Sequence, residues 1–182
     1  DVRKTIAQLS IGNNIALNYR YEENSLLSSM CKTYENISRT LLRAHYRCHP
    51  KIIGFCNQKF YNNQLVIMTQ DNGESDVLKA YITVEGNHAR GHFNQRQIDE
   101  ITNNILPELN SSDVGIIAPY KDQTFALAEE ITGQIDISTV HKFQGREKDD
   151  IIISTVDNEI TEFTDNPNML NVAVSRAKKR LR

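Results

Sequence analysis

Residues 139–154 read TVHKFQGREKDDIIIS, a charged segment centred on Gly145 that runs directly into Ile151-Ile152-Ile153. Three consecutive isoleucines cannot divide themselves between a core face and a solvent face, so a strand built on them is covered on both. That is the pattern of a parallel sheet sandwiched between helices. The run Val114-Gly115-Ile116-Ile117-Ala118 reads the same way. Working outward, β-branched and aliphatic patches place strands at Thr40–Ala44, Leu78–Val84, Val114–Ala118, Ile135–Thr139 and Ile151–Val156. Helical segments lie between them. Asn24-Ser25 caps one reaching about Tyr34, Pro50 opens one toward Phe60, and Asn94 caps one ending at Leu106 before Pro107. Two more span Tyr120–Ile131 and Asn168–Lys179. This alternation predicts an α/β fold, a three-layer sandwich with a mainly parallel central sheet.

The 182 residues suffice for one domain that buries most of its apolar surface, and 39% hydrophobic with 24% charged residues is the mix of a folding chain. A net charge of −2 gives no global attraction to nucleic acid, so any such binding depends on local groups. Cys31, Cys48 and Cys56 are odd in number and lack a C-x-x-C spacing, which argues against a secreted disulfide framework. A reducing compartment is expected: the cytoplasm, or the nucleus in a eukaryote. No apolar stretch approaches the roughly 18 residues of a membrane span, so no membrane partner is expected. The start lacks an initiator Met, and Lys178-Lys179-Arg180-Leu181-Arg182 follows a predicted helix with no closing strand, so a fragment of a larger protein is expected. Residues 1–36 read as a peripheral segment of the domain formed by 37–182. Gln70–Asp76 is a polar turn cluster and Glu85–His92 a flexible loop.

In open parallel sheets ligands sit outside the carboxyl ends of the strands, which directs attention to the loops there. Leu41–Pro50 carries Tyr46-Arg47 between a strand and a proline-started helix. The segment around Gly145 brings Arg146, Glu147 and Lys148 to a backbone that can approach a ligand closely. Leu170–Lys178 offers Arg176 on a helix amid small residues. Taken singly, each has a plain reading: a surface Tyr with a stacked guanidinium, a solvated charge cluster at a turn, a cation at a helix end. Jointly, arginines at the ends of several elements of one α/β fold point to phosphate. A zinc site is the weaker alternative. His45, Cys48, His49 and Cys56 cluster in sequence, and His88/His92 repeat an i, i+4 spacing. Pro50 biases His49 away from helical geometry, and the loop pair lacks a carboxylate, so no metal ligand is assigned and the cysteines read as small apolar fillers.

Four segments, HYRCHPKIIGFCNQKFYNNQL, VGIIAPYKDQ, ISTVHKFQGREKDDIIIS and LNVAVSRAKKRL, resemble in order and spacing the second motor domain of superfamily-one helicases. The nearest branch holds the nonsense-mediated-decay RNA helicases and the Dna-two-type DNA helicases. The likeness covers residues 41–182. His45 and Cys48 depart from the usual Gln-Tyr-Arg-Met-His-Pro, and Val174-Ser175 from the usual Leu-Thr before the last arginine. The resemblance implies a RecA-like fold. It makes Tyr46 a stacking platform for the base and Arg47 a γ-phosphate ligand, with Arg176 a second arginine finger. Gln144, Gly145 and Glu147 become nucleotide contacts, and Pro119, Tyr120 and Thr139 contacts to single-stranded DNA or RNA. Arg146 and Lys148 are local support. A fixed guanidinium fork suits a phosphoryl group in transfer, and a hydroxyl with backbone amides can hold phosphates without high net charge. ATP and Mg2+ are the implied cofactors and five-prime to three-prime the implied polarity. The sequence contains no G-x-x-x-x-G-K-S/T, and its Asp99-Glu100 pair sits in a polar helical context. The phosphate loop and Mg2+ ligands are therefore expected on a preceding RecA-like domain, and this chain alone is not expected to hydrolyse ATP. The competing reading is a non-catalytic helicase-like docking or regulatory module, which has no physical reason to keep Arg47, Glu147 and Arg176.

Overall fold

The computed structural model describes residues 2–9, 14–84, 89–161 and 165–182. Two units divide the chain, Asp1–Leu42 and Arg43–Arg182. The first holds α1 (Val2–Leu9), a 3-10 turn at Leu17–Tyr19 and α2 (Leu26–Thr33), whose N-cap Ser25 accepts the Ser28 N–H. The second runs in order β1 (Ala44–His45), α3 (Pro50–Phe60), β2 (Val66–Ile67), β3 (Ala89–Arg90), β4 (Phe93–Asn94) and α4 (Gln95–Glu100). A π-helical stretch, Ile101–Ile105, leads to α5 (Leu106–Glu108). There follow β5 (Val114–Ala118), α6 (Lys121–Glu130), β6 (Asp136–Thr139), β7 (Lys148–Ile153), α7 (Pro167–Val174) and β8 (Ala177–Leu181). Among the described residues no helix is long and apolar enough to cross a membrane.

The isoleucine runs do what their sequence requires. β5 and β7 lie side by side at the centre of an all-parallel sheet ordered β6-β5-β7-β8, and Ile116, Ile117, Ile151 and Ile152 are at most 1% exposed. On one face Ile117 and Ile151 meet Ile52, Ile53 and Cys56 of α3 and Ala173 and Val174 of α7. On the other, Val114, Ile116 and Ile152 meet Ile98, Ile101, Ile105 and Leu127. This is the expected three-layer α/β sandwich with a parallel central sheet.

Several boundaries differ from expectation. The strand expected at Thr40–Ala44 is Ala44–His45, because its parallel partner offers only Val66–Ile67 and Leu41 and Leu42 have no cover. The strand expected at Leu78–Val84 shrinks to a single bridge from Leu78 to Leu181, with Ile82 95% exposed. β7 begins earlier than expected. Lys148, Asp149 and Asp150 enter the strand because neighbours neutralise them: Lys148 pairs with Asp113, Asp149 with Lys178 and Lys179, and Asp150 with Arg180. The helix expected over Asn168–Lys179 stops at Val174, and the segment beyond it is a closing strand where the sequence predicts none. Backbone pairing with the open edge of β7 outweighs the helical preference of Lys178-Lys179-Arg180. The helix capped by Asn94 passes Pro107, since the π stretch before it changes the bonding that a proline would otherwise break. Residues 85–88 of the expected loop, His88 among them, lie outside the described residues.

A polar network secures the carboxyl end of β7. Buried Gln123 accepts the Asn94 N–H at 2.8 Å and donates to Ser154 Oγ at 2.9 Å. Ser154 Oγ donates to Gln97 Oε1, which also accepts the Val156 N–H, and Asn94 Nδ2 donates to Val156 O. Together they hold Val156 at φ +69°, a conformation that β-branched residues avoid, and so end the strand. Gln123→Leu strands the buried Asn94 N–H and removes one partner of Ser154, so we expect a loss of about 3 kcal/mol, read by urea denaturation.

Candidate site for nucleotide and nucleic acid

Three distant segments meet at the amino ends of β7 and β8. The turn after β1 carries Tyr46, 72% exposed, and Arg47, whose Nη1 lies 3.3 Å from Glu147 Oε2. Arg176 sits between α7 and β8 rather than on a helix. Its Nε donates to Val172 O at 3.1 Å, its Nη1 to Arg146 O at 3.2 Å and its Nη2 to Ser175 Oγ at 3.3 Å. Backbone bonds tie the segments together: Lys148 N–H to Arg176 O at 3.1 Å and His49 N–H to Lys178 O at 2.7 Å. Buried Cys48 donates from Sγ to Ser175 O at 3.3 Å. Burial, and next the charge of Arg47, lower the pKa of Arg176 from its ordinary value. Two guanidiniums close enough to repel, with one carboxylate paired to Arg47, form a site that favours further negative charge.

The segment 140–147 is held by Phe143, fully buried and hydrogen-bonded from its N–H to Thr139 O. Phe143 packs over β5 at Gly115, where a Cβ would lie 2.6 Å from its Cζ. From that anchor Gln144, Gly145 and Glu147 stand exposed, and Gly145 has φ +85° with open space around it. Arg146 and Lys148 form local ion pairs with Asp136 and Asp113.

Pro119, Tyr120 and Thr139 gather elsewhere. Ala118 pairs with Thr139 at the carboxyl ends of β5 and β6. Tyr120 donates its hydroxyl to Asp157 Oδ2 at 2.9 Å, and its ring lies 4.6 Å from that of His92. Strand alternation puts Thr139, 9% exposed, on the face that carries Ile137 and α6, and α6 begins without a side-chain cap. Its first N–H groups and the Thr139 hydroxyl are thus on one face at one end of the sheet, a donor set suited to a phosphate. The expectation that every ligand loop leaves a carboxyl end is corrected. Segment 140–147 runs back along β5 and delivers Glu147 to the opposite end, about 20 Å away at about 3.3 Å per residue.

Sequence reasoning missed three contributors: His45, whose ring Nε2 accepts the Cys48 N–H at 2.9 Å, Asp157, and the Gly115–Phe143 contact. The glycine inside an apolar run was the available signal. Cys48 and Cys56 are core residues, and burial pushes the Cys56 thiol up to about 12. Among the described residues the group with metal-ligand reach is His49, Asp71 and Glu74, with ligand atoms within 4.8 Å. His49 instead caps α3 through Nδ1, and Lys51 Nζ already lies 3.3 Å from Asp71.

A family described as "AAA domain" matches residues 22–95 and 83–182. An uncharacterized ATP-dependent helicase of Caenorhabditis elegans is 31% identical over 76% of this chain and 11% of its own length. The 5'-3' DNA helicase ZGRF1 of Mus musculus is 28% identical over 78% of this chain and 9% of its own. The chain thus spans about a tenth of the length of these relatives. The crystal structure of the C-terminal domain of a possible DNA helicase from Lactobacillus plantarum superposes with a TM-score of 0.49 at 17% identity, covering 75% of this chain and 84% of that one.

Proposed function

We propose, from the premise that this chain belongs to the AAA domain family and among superfamily-one helicases, that it is the second RecA-like half of an ATP-dependent helicase or translocase. The observation that carries this is the convergence of Arg47, Glu147 and Arg176 from three segments at one end of the sheet, with a phosphate-suited donor set at the other. A first RecA-like domain of the same protein brings ATP with its phosphate loop and holds Mg2+. Closure then sets Arg47 and Arg176 on the γ-phosphoryl group, where fixed guanidiniums offset the charge developing in the transition state. Tyr46 stacks on the base, while Gln144, Gly145 and Glu147 line the sugar side. At the other end Pro119, Tyr120 and Thr139 follow a single strand by its phosphates, so base identity matters little. Five-prime to three-prime movement is supported by the name of the murine relative, and a cytoplasmic or nuclear location by the unpaired cysteines.

The test is ATP turnover of the intact protein with and without single-stranded DNA or RNA. Stimulation supports a motor and names its polymer; absence of turnover leaves the docking module. Thr139→Val is expected to raise the half-saturating strand concentration about tenfold, the scale of one hydrogen bond to a charged acceptor. The salt dependence of binding should keep its slope, because threonine displaces no counterion. A changed slope with unchanged affinity at low salt contradicts this role.

A further inference from the structure

The carbonyl of His45 accepts the Met68 N–H at 2.9 Å beside the β1–β2 pair and does not receive the N–H of the turn that follows. The imidazole closes it instead, through Nε2 and the Cys48 N–H. Beyond the turn, Cys48 O accepts Thr69 Oγ1 at 2.7 Å, and the His49 N–H reaches Lys178 O. Both arms are therefore fixed to the body of the domain, and Tyr46 and Arg47 project from between them. We infer that His45 is a positioning residue for the Arg47 arm: its neutral ring, protonated on Nδ1 and accepting at Nε2, takes the place of a backbone carbonyl and holds Arg47 beside Glu147 and Arg176. The inference rests on the motor reading and adds to it a residue that touches neither nucleotide nor strand.

This closure depends on one proton. A doubly protonated ring has no acceptor, so protonation opens the turn. The residues of β2 that pair with β1, Val66 and Ile67, carry no charge, and Met68 is likewise neutral. Arg47 is the charged group that acts on the ring. Burial first and Arg47 second lower the pKa of His45 below its ordinary 6.5. The sign follows from the lowered value. Above pH 6.5 the ring is neutral whether the chain is folded or not, and the contribution of the turn is complete. As pH falls the unfolded chain takes up its proton first, and the contribution is lost through the lowered folded pKa.

The experiment compares the intact wild-type protein with His45→Ala and His45→Gln, measuring polynucleotide-stimulated ATP turnover against pH and the tautomer of the ring by nitrogen NMR. Glutamine sets an acceptor the same number of bonds from Cα and carries no titrating proton. His45→Ala is expected to lower saturated turnover on the order of 10²-fold, the scale of a misplaced catalytic arm, at an unchanged half-saturating strand concentration. His45→Gln is expected to restore turnover and to remove the fall on the acid side. The wild-type ring should show the Nδ1–H tautomer. Wild-type turnover in His45→Ala, an unchanged acid fall in His45→Gln, or an Nε2–H tautomer each overturns the inference alone. A wild type without stimulated turnover overturns the motor reading itself and takes the role of His45 with it.

Discussion

Arg176→Ala is expected to lower polynucleotide-stimulated ATP turnover of the intact protein by about 10³-fold, the scale of a lost arginine finger, with little change in the ATP concentration that half-saturates it. The guanidinium is not a freely rotating surface group. It is half-buried, spends its Nε and Nη1 on the carbonyls of Val172 and Arg146, and lies close enough to Arg47 to be destabilised by its charge. Glu147 offsets one of the two positive charges, so the pair still gains from a further anion, and the terminal phosphate of a nucleotide carries most charge in the transition state. The loss should therefore fall on kcat. Arg47→Ala is expected to give a loss of similar size, and the double variant little more, because in the proposed motor both arms serve one phosphoryl group and act as a unit. Arg176→Lys should not rescue, since an ammonium cannot reproduce two fixed carbonyl bonds and still present a fork. Circular dichroism and melting temperature check that each variant folds. If Arg176→Ala turns over at the wild-type rate while folded, the convergence of the two arginines is structural and the docking module becomes the better reading.

How much of this was legible in the sequence depends on whether the deciding interaction is local. Ile151-Ile152-Ile153 declares a doubly covered strand by itself, and Pro50 and Asn94 declare helix starts, because the cause lies within a few residues. β8 was not legible. Lys178-Lys179-Arg180 reads as the end of a helix, and only the open edge of β7, far away in sequence, makes it a strand. The charged start of β7 was hidden for the same reason, since the partners of Asp149 and Asp150 lie some thirty residues on, at Lys179 and Arg180. Among the site residues, Arg47, Glu147 and Arg176 stand out in the sequence as charges at the ends of elements, but their roles came from the resemblance, and no local pattern announces that they meet. That the residues proposed for nucleotide and those proposed for strand occupy opposite ends of the sheet was hidden too, because it depends on the path of residues 140–147 across β5.

That path turns on one contact, and its disruption should have the largest effect on stability. Phe143 is fully buried where β5 has a glycine in place of a side chain. Phe143→Ala is expected to cost about 3–5 kcal/mol, as for other buried aromatics cut back to alanine. A Cβ at Gly115 would also meet Ile151 Cδ1 and Lys148 Cγ at 3.0 Å, so Gly115→Ala should cost about 1–3 kcal/mol by overpacking. Phe143→Leu vacates part of the space that Gly115→Ala claims. The double variant should therefore be more stable than the two single losses predict, by a coupling of about 1 kcal/mol in a denaturant cycle. Simple additivity would mean that Phe143 does not rest on Gly115. The same cycle has a functional reading. Thr139 at one end and Glu147 at the other are joined by a short segment whose middle is pinned by this ring. With the pin loosened, the strand binding proposed at Thr139 has no rigid path to Glu147 and Arg47, so Phe143→Leu should retain basal turnover and lose much of its stimulation by polynucleotide. Stimulation undiminished in a folded Phe143→Leu would show that coupling between the two ends runs through another element, for which the hydrogen bond from Tyr120 to Asp157 after β7 is the next candidate.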